Sequence, residues 1–317
     1  MITTDAAVVE RFDAPPRFRS FDIPAPTGGQ EVVDVLATGL HPRVRSGARG
    51  DHYTSTGAIP LIPGVDGVGR RADGTLVYFA LDDDRFGSMA AQVVVDPRRV
   101  IPLPPNVDVE RIAAGMNPAM SSWVALRRRI AMPAKAAVLV HGATGNAGGM
   151  AVRIARIFGA HTVIATDRDR ERLAALDADV VVALDDGPAA LAEAASGVDV
   201  VLDYLWGPPT EQALPALLRA RTDRSRPLDW VEIGSVAGPD ISLPSAALRS
   251  AHLRLIGSGQ GSIGGREYLA ELPSLVEALS DGSIDVRTES APLSEVERVW
   301  TVPEQPGVRT VLRAARG

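Results

Sequence analysis

The sequence feature that most constrains the fold is a glycine-rich turn between an apolar strand and a helix. Residues 138–149 read VLVHGATGNAGG, and residues 150–158 read MAVRIARIF. The segment opens on a β-branched apolar run, and after the glycines the apolar residues recur at helical spacing, so the order is strand, loop, helix. A helix that begins directly after such a loop presents unpaired N–H groups and the positive end of its dipole, which favours a bound phosphate.

The spacing and the context of this loop predict a dinucleotide site. The glycines follow a G-x-x-G-x-x-G pattern, and a second strand at 161–166 ends in Asp167 and Arg168, about twenty residues on, where ribose recognition is expected. The alternative is that the glycines only allow the helix to pack closely on the strand. The predicted cofactor-binding residues of the loop are Gly142, Ala143, Thr144, Gly145, Asn146, Ala147 and Gly148.

Length, charge and composition narrow the class of partner. A chain of 317 residues favours two domains. Its net charge of −6, with both signs interspersed, provides no basic face for nucleic acid and no polybasic membrane patch, so we expect a small-molecule partner. The sequence has no cysteine, which excludes disulfides and thiolate metal sites and is compatible with a reducing cytoplasm. No export signal and no apolar run of bilayer length are recognisable, so we expect a cytoplasmic protein outside the membrane.

The pattern of elements changes twice along the chain. Short strand-like runs separated by turn residues, including a hairpin signal at Asp73-Gly74, predict an antiparallel β domain. Residues 136–257 then alternate apolar strands with helices, which predicts a doubly wound parallel sheet. A capping box at Ser294 predicts a short helix near the end, followed by a last strand. The predicted domains are a β domain at 1–116, a nucleotide domain at 117–284 and a return to the first domain at 285–317.

Four motifs, taken in order, resemble one family. They are PLIPGVDGVG at 60–69, GATGNAG at 142–148, IGS at 233–235 and PLS at 292–294. Together they resemble the medium-chain dehydrogenase/reductase superfamily, in its zinc-independent quinone oxidoreductase-like branch. The resemblance implies a GroES-like β domain packed against a Rossmann domain, a nicotinamide cofactor in the cleft and a homodimer. It also implies cofactor contacts at Ser121, Gly234 and Ser235, although relatives usually carry threonine where Ser121 stands.

The chemistry that follows is hydride transfer without a metal. The zinc-dependent branch of the superfamily holds its metal with cysteine, and the histidines of this chain form no H-x-x-x-H-type pair, so we expect no metal site. Without a Lewis acid the substrate must already be electrophilic, as a quinone or an α,β-unsaturated carbonyl compound is. His41, His52 and Tyr53 are candidates for donating a hydrogen bond to its oxygen, or are ordinary loop residues. The resemblance favours Tyr53 and His41 as catalytic residues, because family members contact their substrate in this region.

The choice of cofactor depends on the end of the second strand. A carboxylate at Asp167 would accept hydrogen bonds from a ribose 2′-hydroxyl, which favours NAD. Arg168, with Arg172 one helical turn later, could instead hold a 2′-phosphate if Asp167 turns aside. In a third alternative, Asp167 caps the next helix and the arginines pair with acidic neighbours in solvent. The family resemblance favours NADP(H), with NAD as the alternative.

Two other sequence features can be explained by structure alone. The basic triplet 127–129 is expected on a solvated helix end. Tyr204 and Trp206, after a predicted strand, either line the cofactor or serve only packing.

Because no indispensable catalytic side chain is evident, an NADPH-binding sensor or structural protein with little turnover is the main alternative to a quinone or enone reductase. A zinc-free alcohol dehydrogenase is the alternative among enzymes, although no base or metal for it is evident.

Overall fold

A computed structural model describes residues 1–305 and 307–314 of the chain. The chain forms two compact units, the first from Met1–Asn117 together with the described residues from Leu272 onward, the second from Pro118–Glu271. The predicted domain limits 1–116, 117–284 and 285–317 stay a prediction.

The first unit begins with short strands, as the sequence predicts. Its early elements are β1 (Ile2–Val8), β2 (Arg17–Ile23), β3 (Glu31–Leu40), α1 (Pro42–Ala48), β4 (Asp66–Arg70), β5 (Leu76–Ala80), β6 (Gln92–Val95), β7 (Val100–Pro102) and the first part of α2 (Val109–Val124), which passes into the second unit at Pro118. β1 and β2 form a two-stranded antiparallel sheet, and β4 and β5 form an antiparallel hairpin. Gly74, in the turn of that hairpin, has a φ of +87°, which a glycine adopts without steric cost. The hairpin predicted at Asp73-Gly74 is therefore present.

The second unit is a six-stranded parallel sheet with helical connections. Its elements are β8 (Ala137–His141), α3 (Asn146–Ile157), β9 (Thr162–Asp167), α4 (Arg170–Ala174), β10 (Val180–Ala183), α5 (Gly187–Ala194), β11 (Val200–Asp203), α6 (Gly207–Ala220), β12 (Leu228–Glu232), α7 (Ser245–Arg249) and β13 (Leu253–Gly257). The strand order is β10-β9-β8-β11-β12-β13. The order reverses between β8 and β11, and in such sheets ligands bind outside the carboxyl ends of the strands at this reversal.

The end of the chain completes the first unit. The last elements are α8 (Gly265–Ser280), which belongs to the first unit from Leu272 onward, β14 (Arg287–Pro292), α9 (Val296–Thr301) and β15 (Val308–Arg313). β15 pairs with β3, giving a sheet of order β14-β15-β3-β4-β5-β7 in which β6 also pairs with β3. The capping box predicted at Ser294 is wrong. Ser294 lies inside a 3₁₀ turn that follows β14 directly, so the N-cap position falls on Pro292, which makes no side-chain cap bond.

Each unit buries its own apolar core. In the first unit, Val33 of β3 and Val77 and Phe79 of β5 pack with Met89 and Leu312. In the second unit, Leu139, Val201 and Trp230 lie in the sheet and pack against residues of α5 and α6. All four residues of β11 are buried, as expected for a central parallel strand covered on both faces. Within residues 1–305 and 307–314, no helix is long and apolar enough to cross a membrane.

The basic triplet at 127–129 lies in the last turn of a helical segment with Arg127 and Arg128 exposed, as the sequence predicts, but it also makes contacts that the sequence does not indicate. Arg127 and Arg128 both pair with the carboxylate of Glu271, at 3.2 and 2.6 Å, and Glu271 is only 1% exposed. The same carboxylate accepts a hydrogen bond from the indole of Trp123 at 2.8 Å. Arg129 donates to the backbone carbonyl of Gly257, the last residue of β13, and to that of Ser262 in the following loop. The triplet therefore fixes the start of α8 and the preceding loop to the end of α2.

Candidate functional site

The glycine-rich loop lies at the carboxyl end of β8, at the reversal of the strand order. Gly142 has a φ of +95°, a conformation that side chains rarely allow. The backbone N–H groups of Gly142 and Ala143 both donate to the carbonyl oxygen of Thr166, at 2.8 and 3.1 Å, which ties the loop to β9. Gly145 then occupies the N-cap position of α3.

Gly148 allows α3 to begin close against the loop. A Cβ at this position would lie 2.2 Å from the carbonyl oxygen of Gly142 and 2.8 Å from the Cα of Ala143. At Gly145, in contrast, a Cβ would meet nothing nearer than 3.7 Å. The first-turn N–H groups of α3 therefore start directly at the edge of the sheet, and this geometry fits a dinucleotide pyrophosphate.

The carboxylate at the end of β9 is turned into the loop. Its Oδ2 atom accepts hydrogen bonds from the backbone N–H and the hydroxyl of Thr144, at 3.0 and 2.7 Å. Its Oδ1 atom accepts the backbone N–H of Arg168 at 2.7 Å, and Asp167 is 9% exposed. The alternative in which Asp167 caps the next helix is wrong, because Asp169 accepts the N–H of Arg172 and caps α4.

The cations beside this carboxylate differ in their surroundings. The side chain of Arg168 is exposed, and among residues 1–305 and 307–314 it has no ion pair or hydrogen bond. The guanidinium of Arg170 pairs with Asp186 at 2.7 Å and is therefore occupied. Arg168 is thus a cation beside the end of β9 whose side chain remains available to a ligand.

The end of β11 is fixed by a fully buried carboxylate. Asp203 accepts hydrogen bonds from the N–H groups of Leu205 and Trp206, from the hydroxyl of Thr210 and from the indole of Trp230, at 2.6 to 3.1 Å. These bonds connect β11 to the start of α6 and to β12. The carboxyl edge of the sheet is therefore a rigid platform beside the glycine-rich loop.

Three predicted cofactor contacts lie at this same edge. The hydroxyl of Ser121 is 3.1 Å from that of Tyr204, which directly follows β11. Burial raises the pKa of Tyr204 to about 12, so its phenol is neutral at ordinary pH. The N–H of Gly234 donates to the carbonyl of Asp203 at 3.2 Å, and the exposed Ser235 follows it. The structure thus brings Ser121, Gly234 and Ser235 to the end of β11, and their contact with a cofactor stays a prediction.

The two predicted catalytic residues have very different exposures within the first unit. His41 is 2% exposed, and its Nε2 atom is 3.9 Å from Oδ1 of Asp66, whose Oδ2 accepts the hydroxyl of Tyr78. Burial lowers the pKa of His41, so its ring is neutral. Tyr53 is 70% exposed, and its ring stacks on His52 with 4.2 Å between centroids. Their catalytic roles stay predictions.

A polar pocket in the first unit contains residues that the sequence patterns do not indicate. Arg43 donates to the hydroxyl of Thr54 at 2.8 Å and to Asp84 at 3.2 Å, and Leu61 and Ile62 form the apolar part of the lining. Arg43 and Asp84 are 41 positions apart and belong to no motif, so only the folded chain brings them together.

His52 lies next to this pocket. The backbone N–H of Thr54 donates to its Nδ1 atom at 3.2 Å, which leaves the ring proton on Nε2. Burial, followed by the charge of Arg43, lowers the pKa of His52 to about 4. The imidazole is therefore a neutral hydrogen-bond donor at physiological pH. In the part of the chain that the structure describes, no three histidine, aspartate or glutamate residues group as metal ligands would.

Comparison with known proteins identifies relatives of full length. No family model matches the chain. The chain is 30% identical over 356 residues to a probable NADPH-dependent quinone reductase of Emericella nidulans, an alignment that covers 97% of this chain and 99% of that protein. It is 27% identical over 311 residues to a polyketide synthase subunit of Mycobacterium tuberculosis, of which it spans 13%. The quinone oxidoreductase of Thermus thermophilus, solved also with NADPH, has a TM-score of 0.80 at 25% identity, covering 98% of this chain and 99% of that one.

Proposed function

Because the chain belongs to the medium-chain dehydrogenase/reductase superfamily, in its quinone-reductase-like branch, we propose that it is an NADPH-dependent oxidoreductase of quinones or α,β-unsaturated carbonyl compounds. The observation that carries the proposal is that α3 begins in close contact with the glycine-rich loop, which only a glycine at position 148 permits. The loop lies where the strand order of a six-stranded parallel sheet reverses, which is the position where dinucleotides bind.

Each part of this edge has a proposed task. The N–H groups at the start of α3 bind the pyrophosphate, and Arg168 faces the 2′-phosphate. Ser121, Gly234 and Ser235 line the nicotinamide half. The bound cofactor supplies a hydride. Asp203 holds the end of β11 in place through its four hydrogen bonds, so the protein contributes a fixed orientation.

We propose that the reaction is independent of zinc. The sequence offers no thiolate ligand, and among the described residues no cluster of other ligands forms. The developing enolate or phenolate oxygen then needs a hydrogen-bond donor of the protein. Tyr53 is the proposed donor because its side chain is exposed to a ligand. His41 is a second proposed donor, but its ring is buried and reaches a substrate only if the segment around α1 moves. Replacing Tyr53 should therefore reduce turnover more than replacing His41.

The test is a titration followed by a turnover assay. The purified protein is titrated with NADPH and with NADH, and oxidation of each is then measured with a panel of quinones and enones. We expect tighter binding of NADPH and its oxidation by at least one acceptor class. No binding and no oxidation would refute the proposal, while tight binding without hydride transfer to any acceptor would favour a sensor instead. We further propose a homodimer, from the family resemblance, and a cytoplasmic location, with which the cysteine-free sequence is compatible. Light scattering of the purified protein tests the first.

A further inference from the structure

We propose that Thr144 is a positioning residue that selects NADPH over NADH by holding the Asp167 carboxylate inside the glycine-rich loop. This inference rests on the proposed NADPH site, and it assigns to Thr144 a role beyond lining the phosphate. The hydroxyl of Thr144 and its backbone N–H both donate to the same carboxylate oxygen, at 2.7 and 3.0 Å. We call this pair of bonds the Thr144 latch.

The latch leaves the carboxylate little capacity to accept further hydrogen bonds. A carboxylate offers about four acceptor sites, two on each oxygen. The latch fills both sites on Oδ2, and the N–H of Arg168 takes one on Oδ1 at 2.7 Å. Asp167 is also 9% exposed, so what remains of it faces protein more than solvent. It cannot offer both oxygens to a ribose while the latch is closed.

This geometry reverses what an acidic residue normally does at the end of the second strand. In sites for NAD, that carboxylate accepts the ribose 2′-hydroxyl and disfavours a phosphate at the same position. Here the negative charge is turned toward three donors of the protein. A 2′-phosphate therefore meets a carboxylate whose charge is already stabilised by hydrogen bonds, and the ribose 2′-hydroxyl of NADH finds at most one open acceptor site, on Oδ1.

Arg168 supplies the attraction for the 2′-phosphate that distinguishes NADPH from NADH. Its exposed guanidinium has no ion pair within residues 1–305 and 307–314, whereas Arg170, two positions on, is bound to Asp186. A guanidinium can hold a phosphate through two parallel hydrogen bonds. The latch and Arg168 thus act together, because the first withdraws the competing carboxylate and the second binds the phosphate.

The test compares dissociation constants of NADPH and NADH, measured by fluorescence titration without any acceptor. Thr144→Val keeps the β-branched shape and the backbone N–H but removes the hydroxyl donor. We expect the preference for NADPH over NADH to fall about tenfold, the equivalent of one hydrogen bond to a charged group. Thr144→Ser keeps a hydroxyl and should restore the preference. A general disturbance of the loop would weaken both dinucleotides equally and leave the ratio unchanged.

A double variant identifies the route of the effect. In an Asp167→Ala background the Thr144→Val change should no longer alter the ratio, because the carboxylate that the latch holds is gone. If Thr144→Val changes the ratio of the two dissociation constants equally in the Asp167→Ala background, the inference is overturned. It is also overturned if Thr144→Val alone leaves this ratio unchanged, or if the unaltered protein binds NADH more tightly than NADPH. These dissociation constants can be measured without hydride transfer. If NADPH binds but no acceptor is reduced, the proposed function fails while the latch is still tested.

Discussion

Replacing Gly148 with alanine should damage the nucleotide site through a steric effect that the structure quantifies. The new Cβ would lie 2.2 Å from the carbonyl oxygen of Gly142, whereas ordinary contact begins at 3.4 Å, so the two atoms must separate by about 1 Å. Both clashing groups are backbone, and no side chain can rotate away. The start of α3 and the loop must therefore move apart.

The adjacent glycine provides a matched control. At Gly149 a Cβ would meet nothing closer than 3.7 Å, and alanine there should stabilise the helix by about 0.5–1 kcal/mol. Gly148→Ala gains the same helix propensity but adds overpacking of about 1–3 kcal/mol. The difference in unfolding free energy between the two variants therefore isolates the steric cost.

Two assays examine this difference. Urea unfolding, followed by fluorescence of the tryptophans, measures the free energy, and titration with NADPH measures the dissociation constant. We expect Gly148→Ala to be less stable than Gly149→Ala by about 1–3 kcal/mol and to bind NADPH about tenfold or more weakly. Gly149→Ala should bind as the unaltered protein does. Equal stability of the two variants with equally tight binding would refute the steric reasoning.

Three further predictions concern buried or partly buried polar groups. Glu271→Ala should lower the unfolding free energy by about 2–3 kcal/mol in urea, because the buried Trp123 indole and two guanidinium groups lose their acceptor, and Glu271→Gln should cost less. Asp203→Ala should cost about 3 kcal/mol or more in the same assay, since four donors lose one acceptor; a cost under 1 kcal/mol would contradict this. The pKa of His52 is about 4 in the fold against 6.5 ordinarily, so the stability it contributes is present above pH 6.5 and is lost as the pH falls toward 4. His52→Asn should flatten that part of the stability curve, and an unchanged slope would count against the depressed pKa.

The sequence predicts the second unit well because its signals are local. Apolar runs such as residues 138–140 are buried on both faces, and the glycine spacing fixes where the strand ends and the helix begins. The reversal of strand order at this loop follows from the alternation of strands and helices. In the first unit β2 is not predicted, because only Ile23 of its residues is fully buried and the strand lacks an apolar alternation.

The features that the sequence does not reveal depend on pairs distant along the chain. Arg128 and Glu271 are 143 positions apart, so the triplet alone looks like a solvated helix end. Thr144 and Asp167 are 23 positions apart, and the direction of a short side chain at a strand end cannot be read from its identity. The same holds for His41, which the sequence makes a candidate substrate contact or an ordinary loop residue, and which packing buries inside the first unit.

The division of the first unit between two ends of the chain has a consequence for biosynthesis. Leu40, at the end of β3, and Arg309, in β15, are joined by a hydrogen bond across 269 positions. At about 5–20 residues per second, a ribosome takes tens of seconds to make the strand that completes this edge. Until then β3 exposes an open edge, which invites pairing with other chains. The second unit is continuous, Pro118–Glu271, and can fold in the meantime. Chaperones that shield the exposed edge of β3 should therefore improve the yield of folded protein.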